Sequence, residues 1–189
     1  DEGGLNLFNP TTETFTHYIN QPFNPNSLCD DDVFSLNEDL DGNLWVATRR
    51  GISILHQDKK TFTNLRPEED KGSGLNDNTV HSLHCDQKGN MWIGTGKRGI
   101  NFFDRQPTKF VHYKHDASSP NGLNDNNILS IMEDNTGNLW LGTDKGINVW
   151  DKKSNRFTYF RHDSINPRSI GSDAVAFMHE DRDKDIWVA

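Results

Sequence analysis

The chain has 189 residues, 32 % of them hydrophobic, and its 28 acidic against 20 basic side chains give a net charge of −8. That balance argues against recognition of nucleic acid through its phosphates, which needs a basic face. No apolar run approaches the ~20 residues of a membrane-spanning helix, so this segment is expected to make no membrane contact.

The chain opens on DEGGLNLFN and continues through short runs of about 5–7 residues bounded by Gly, Asp, Asn or Pro, the pattern of strands and turns. One full set is TVHSLHCD (79–86), NMWIGT (90–95), GINFFD (99–104) and KFVHYKH (109–115). No run keeps a 3.6-residue apolar period over helical length. The set then recurs. Trp45, Trp92, Trp140 and Trp187 are separated by 47, 48 and 47 residues, as are Gly4, Gly51, Gly99 and Gly146, and Phe15, Phe62, Phe110 and Phe157. Four short strands per unit of this length predict an all-β fold, a β-propeller of four-stranded antiparallel blades. The units are 1–47, 48–94, 95–142 and 143–189, read as one domain. The first run reads as a third strand and the last, DIWVA, as a second. Three complete blades flanked by two halves of a larger ring are therefore expected, in preference to a closed ring of four.

The turn between first and second strands reads DLDGN at Asp39, DQKGN at Asp86 and DNTGN at Asp134. Asp opens such a turn by accepting backbone N–H groups ahead of it, and Gly takes the left-handed conformation that closes it. The fourth copy, DRDKD, carries Lys184 at the Gly position, which predicts a strained or rebuilt turn. A calcium loop is a poor match, because the spaced ligands and closing glutamate are missing. Trp45, Trp92, Trp140 and Trp187, with Trp150 from a second aromatic column, are expected to be core. The small residue two places after the column Trp (Ala47, Gly94, Gly142) would let a neighbouring blade come close.

Cys29 lies in a loop before a first strand and Cys85 near the end of one in the next unit. A strand of that length sets those levels roughly 20 Å apart, beyond disulfide reach, so two free thiols and no disulfide are expected. No nucleophile elbow, zinc-helix, CxxC or phosphate-loop motif is present. The eight histidines show no spacing that builds a metal site from one segment. No catalytic residue, metal or cofactor is expected.

Candidate binding residues come from positions that vary while the frame repeats. The loops joining second to third strands carry Arg49 and Arg50, then Lys97 and Arg98, then Asp144 and Lys145. The approaches to the first strands, SLCDDDV, GLNDNTV, GLNDNNI and SIGSDAV, align Asp31, Asn78, Asn126 and Asp173 in one column. One reading is turn capping and solvated charge. The other is a rim of charged and amide groups around a funnel, suited to an anionic or polyhydroxylated ligand.

The stretch LNDNTVHSLHCDQKGNMWIGTGKRGINFFD, with its Asp-x-x-Gly-Asn-hydrophobic-Trp-hydrophobic-Gly-Thr core followed by Gly-Ile, resembles the two-component regulator propeller repeat. The resemblance extends over all four units and implies a seven-bladed parent ring in the periplasmic sensor region of a hybrid two-component system of the Bacteroidetes type. It implies an oligosaccharide or other small polar ligand, a histidine kinase and transcription regulation elsewhere in the receptor chain, an inner-membrane anchor and a homodimeric receptor. The kinase's phosphoacceptor motif is not among these residues, so the resemblance carries over no catalytic role, and a non-enzymatic role is expected. Two other roles fit the same blades: a dimerisation scaffold with no ligand of its own, and a propeller lyase of the streptogramin-lyase type, which needs a His, a Glu and a metal converging at the centre.

Overall fold

The computed structural model describes residues 3–67, 74–105, 109–119 and 121–189. Its elements are strands only: β1 (Leu5–Asn9), β2 (Thr14–Tyr18), β3 (Val33–Glu38), β4 (Leu44–Thr48), β5 (Gly51–Leu55), β6 (Phe62–Leu65), β7 (Val80–Cys85), β8 (Met91–Thr95), β9 (Ile100–Asp104), β10 (Lys109–Tyr113), β11 (Ile128–Glu133), β12 (Leu139–Thr143), β13 (Gly146–Asp151), β14 (Arg156–Phe160), β15 (Met178–Glu180) and β16 (Ile186–Val188). They form three antiparallel four-stranded blades, β3–β6, β7–β10 and β11–β14, and two separate two-stranded sheets, β1–β2 and β15–β16. The innermost strands β3, β7, β11 and β15 pack one against the next. Among the described residues, no helix is long and apolar enough to cross a membrane. The fold is that of propeller blades.

The Asp turn is built as its sequence asks. In the first full blade Asp39 Oδ1 accepts the N–H groups of Asp41 and Asn43, both at 2.9 Å. Its Oδ2 accepts the Trp45 indole N–H at 2.9 Å. Asp86 binds Trp92 at 3.2 Å, Asp134 binds Trp140 at 2.8 Å and Asp181 binds Trp187 at 2.7 Å in the same way. One carboxylate thus closes the hairpin and satisfies the indole donor that burial would otherwise orphan. Gly89 closes its turn at φ 81°, and Lys184 keeps the same left-handed geometry at φ 73°. The fourth turn is therefore strained rather than rebuilt.

Between blades the packing is reciprocal. Trp45 of the first full blade lies 4 % exposed against Phe103 of the second, ring centroids 5.4 Å apart. Trp92 of the second, also 4 % exposed, meets Trp150 of the third edge-on at 5.6 Å. The small residues make room for the next blade: a Cβ on Gly94 would lie 2.8 Å from Ile128 Cγ2, and one on Gly142 would lie 2.5 Å from the Val175 carbonyl oxygen. The Trp column is not uniformly core. Trp140 is only partly buried, stacked on Phe160 of its own blade, and Trp187 is 64 % exposed. The reason is geometric: an indole is covered by the third strand of the blade that follows, and no described residue occupies that place beyond β16.

Inner strands are also tied by side chains. Ser35 Oγ accepts the Leu83 N–H at 3.3 Å, and the Asn37 amide bridges the Leu83 carbonyl and the Cys85 N–H at 3.4 and 3.3 Å. Each full blade bulges in its first strand, between Val33 and Ser35, Val80 and Ser82, and Ile128 and Ser130. A bulge turns its extra side chain out of the ladder. Here Phe34 and His81 meet at 5.1 Å on the inner strands. Cys29 is buried, Cys85 is partly buried, and both thiols are free.

Candidate functional site

The face that carries the second-to-third-strand loops and the inter-blade linkers is organised by three neighbouring columns. The linker before β11 shows how. Asn124 exchanges hydrogen bonds with Asn148 of β13: its N–H reaches Asn148 Oδ1 at 2.8 Å, its own Oδ1 accepts Asn148 Nδ2 at 2.7 Å, and its Nδ2 donates to the Lys145 carbonyl at 2.7 Å. Asp125 accepts the Asn127 N–H at 2.8 Å and pairs with Lys145 at 2.7 Å. Asn126 turns the other way and accepts the His115 N–H, just past β10, at 2.7 Å. Alternate linker residues therefore grip the blade ahead and the blade behind.

The column singled out for its amides and carboxylates is placed by this rule. Asp31 accepts the Asn20 N–H at 2.6 Å, and Asp173 accepts the His162 N–H at 2.7 Å. Asn78 differs: Pro67 occupies the donor position, offers no N–H, and leaves the Asn78 side chain exposed.

The cations also have local partners. Arg49 Nε lies 3.1 Å from Asp32 and Arg50 Nε 3.1 Å from Asp30, with both arginine side chains largely exposed. The Lys97 backbone N–H donates to Asp77 Oδ2 at 2.9 Å, and Asp144 accepts the Asn127 amide at 2.6 Å. Arg98 is exposed, and its carbonyl accepts the Asn76 amide at 3.2 Å. Apart from Asp32, the carboxylates facing these loops come from the column Asp30, Asp77 and Asp125, one residue before the column read from sequence. The structure brings Arg50, Lys145 and these carboxylates together blade by blade. It does not gather the rim charges into one cluster.

A second cation column went unread. Arg66, Lys114 and Arg161 repeat at the exits of β6, β10 and β14 with the spacing of the frame, and all three are exposed. A Cβ on Gly51 or Gly146 would lie 3.3 or 3.2 Å from the Cγ of Arg66 or Arg161, so each sits beside the glycine that opens the third strand. The repeat alignment held the signal, as three basic residues in one register.

The opposite end of the inner strands holds a partly buried polar cluster. Glu133 binds Lys152 Nζ at 2.6 Å and has His84 Nε2 at 3.6 Å. Lys152 also lies over the Trp92 ring, 5.4 Å from its centroid. Burial lowers the His84 pKa and outweighs the pull of Glu133, so the imidazole stays neutral and Lys152 is the counter-ion. A cavity of about 610 Å³ lies beside this cluster, lined among others by Glu38, Glu133 and Glu180. Among the described residues, no group of three His, Cys, Asp or Glu side chains is placed to hold a metal ion.

Residues 74–97 and 122–145 match the family described as Two component regulator propeller. No curated protein matches the sequence. Among solved structures, the extracellular domain assigned to a hybrid two component system of B. thetaiotaomicron superposes with a TM-score of 0.79 at 22 % identity, covering 99 % of this chain and 24 % of that one. A second such domain from the same organism gives 0.58 at 25 % identity, covering 99 % and 29 %. Virginiamycin B lyase from Staphylococcus aureus gives 0.69 at 14 % identity, covering 99 % and 56 %. The chain spans about a quarter of the first of these relatives, at 24 % of its length. The matched segments each run from a linker through the Asp turn and the Trp strand, so two stretches of this run of β-propeller blades are similar to the two component regulator propeller repeat.

Proposed function

We propose that this chain is an extracytoplasmic segment of a two-component sensor, in which the linker-and-loop face recognises an oligosaccharide and a histidine kinase outside these residues reads the result. The observation that carries the reading is the family match at 74–97 and 122–145, which begins in each case at the linker that joins two blades. The extracellular location of the superposing B. thetaiotaomicron domains supports the periplasmic placement. The role is non-enzymatic. Fold likeness to the lyase at 14 % identity brings no catalytic residue with it, and Glu133, the carboxylate beside His84, is engaged with Lys152. Calorimetric titration of the sensor region that carries this segment against a glycan panel tests the reading. Saturable heat from an oligosaccharide is expected, and heat from none of them contradicts it. Turnover abolished by removing divalent metal would instead favour a lyase.

A scaffolding role is the second reading, favoured by the rim cations already held by Asp30, Asp32 and Asp125. Alanine substitution of Arg49, Arg98 and Lys145 separates the two. Affinity falls if these loops touch ligand and stays constant if they only frame the blades.

A further inference from the structure

The loop between β2 and β3 differs from its two described counterparts in a way that packing does not require. Asp116 and Asp163 open the equivalent turns, and their side chains accept the N–H groups of Ser118 and Ile165 at 2.9 and 3.0 Å. Neither Ser118 nor Ile165 has a positive φ. In the first loop the opening residue is Gln21, whose side chain accepts the Asn24 amide at 2.9 Å instead. The Asn24 N–H closes the turn on the Gln21 carbonyl at 3.0 Å, with Pro22 and Phe23 at its corners. Proline at the first corner and φ 73° at the second define a type II turn, whose second corner calls for glycine. A phenylalanine stands there, fully exposed at 105 %. Its ring buries nothing that would offset the strain.

That ring borders a cavity of about 410 Å³ lined by Asn20, Gln21, Asn24, Arg50 and Arg66. The wall is braced: Asn20 Nδ2 donates to the Leu28 carbonyl at 2.6 Å, and Asn64 Nδ2 donates to the carbonyls of Pro25 and Ser27, both at 2.9 Å. Arg50 meets Asp30 through Nε. Arg66 makes one long bond, Nη2 to the Cys29 carbonyl at 3.4 Å, and meets no carboxylate among the described residues. An exposed aromatic face beside two guanidinium groups and side-chain amides matches a ligand that pairs an apolar ring face with an anion.

We infer that the Phe23–Arg66 cavity binds an acidic sugar unit, its pyranose face on Phe23 and its carboxylate or sulfate on Arg66 and Arg50. This deepens the sensor reading and rests on it for the biological meaning of binding, yet it is measured on the chain alone. Digalacturonate, a sulfated disaccharide and neutral digalactose would be titrated into the 189-residue chain, with amide shifts followed by NMR. An acidic sugar is expected to bind in a salt-sensitive way and to shift residues 20–24, and the two acidic probes distinguish carboxylate from sulfate. Phe23→Gly relieves the backbone strain, so it should fold at least as well while weakening binding. Arg66→Gln should weaken it by about tenfold or more, the usual cost of a charged hydrogen bond. Three results overturn the assignment: neither acidic probe binds, digalactose binds as well as they do, or both variants bind unchanged. A neutral glycan bound elsewhere on the blades, with neither acidic probe bound, would overturn this site and leave the sensor reading standing.

Discussion

Trp92 and Trp187 hold the same place in the repeat, and the Asp side chain that opens each turn binds each indole N–H. Trp92 is 4 % exposed between two blades, whereas Trp187 is 64 % exposed at the end of the described strands. The local hairpin is therefore the same in both, and the difference is the neighbour. Burial of this residue is a property of two blades in contact, as nearest-neighbour stability in repeat proteins requires.

The largest expected effect exploits that difference. Trp92→Ala should cost about 3–5 kcal/mol, since it empties a packed interface, and Trp187→Ala less than about 1 kcal/mol. Denaturant titration reads both, and equal losses would break the comparison. Next comes the turn carboxylate. Asp86→Ala removes the partner of a buried indole N–H and of two backbone N–H groups, at a cost of about 2–4 kcal/mol. Asp181→Ala should cost distinctly less, because the Trp187 indole can turn to water.

Acid sharpens the same point. Burial works against ionisation at Asp39 and Asp134, but hydrogen bonds from the turn and the indole outweigh it. Both carboxyls titrate below 3.8, Asp134 at about 2. The indole bond is the chief cause at Asp181, which is lowered as well. A carboxyl with a depressed folded pKa contributes stability that is complete above its unfolded value and lost as pH falls through its folded one. Stability should hold down to about pH 4 and decline towards pH 2, with Asp134→Asn shrinking the decline. The smallest effect is a gain. Lys184→Gly relieves a side chain held at φ 73° and should stabilise by about 0.5–1 kcal/mol, part of the left-handed penalty being offset by a freer unfolded chain.

Within-blade features were legible because they depend on residues close in sequence. The Asp turn, the Trp strand and the small residue after it could all be read from one repeat. Residues facing another blade were harder. The column Asp31, Asn78, Asn126 and Asp173 was found, but not that it latches onto the preceding blade, nor that Pro67 releases Asn78. The cationic loops were found, but not that their carboxylates flank the column, at Asp30 and Asp125 just before it and at Asp32 just after. Periodicity gives a residue its place in the frame without giving its partner. Arg66, Lys114 and Arg161 were in register all along, and Phe23 is visible only through its backbone and exposure.

Hydroxyl-radical footprinting of the indoles, read by mass spectrometry, tests most directly whether blades bury one another's tryptophans. Trp45 and Trp92 should be protected, Trp140 partly so, and Trp187 should be modified fastest. Uniform modification of all four would contradict blades stacked face to face around an axis.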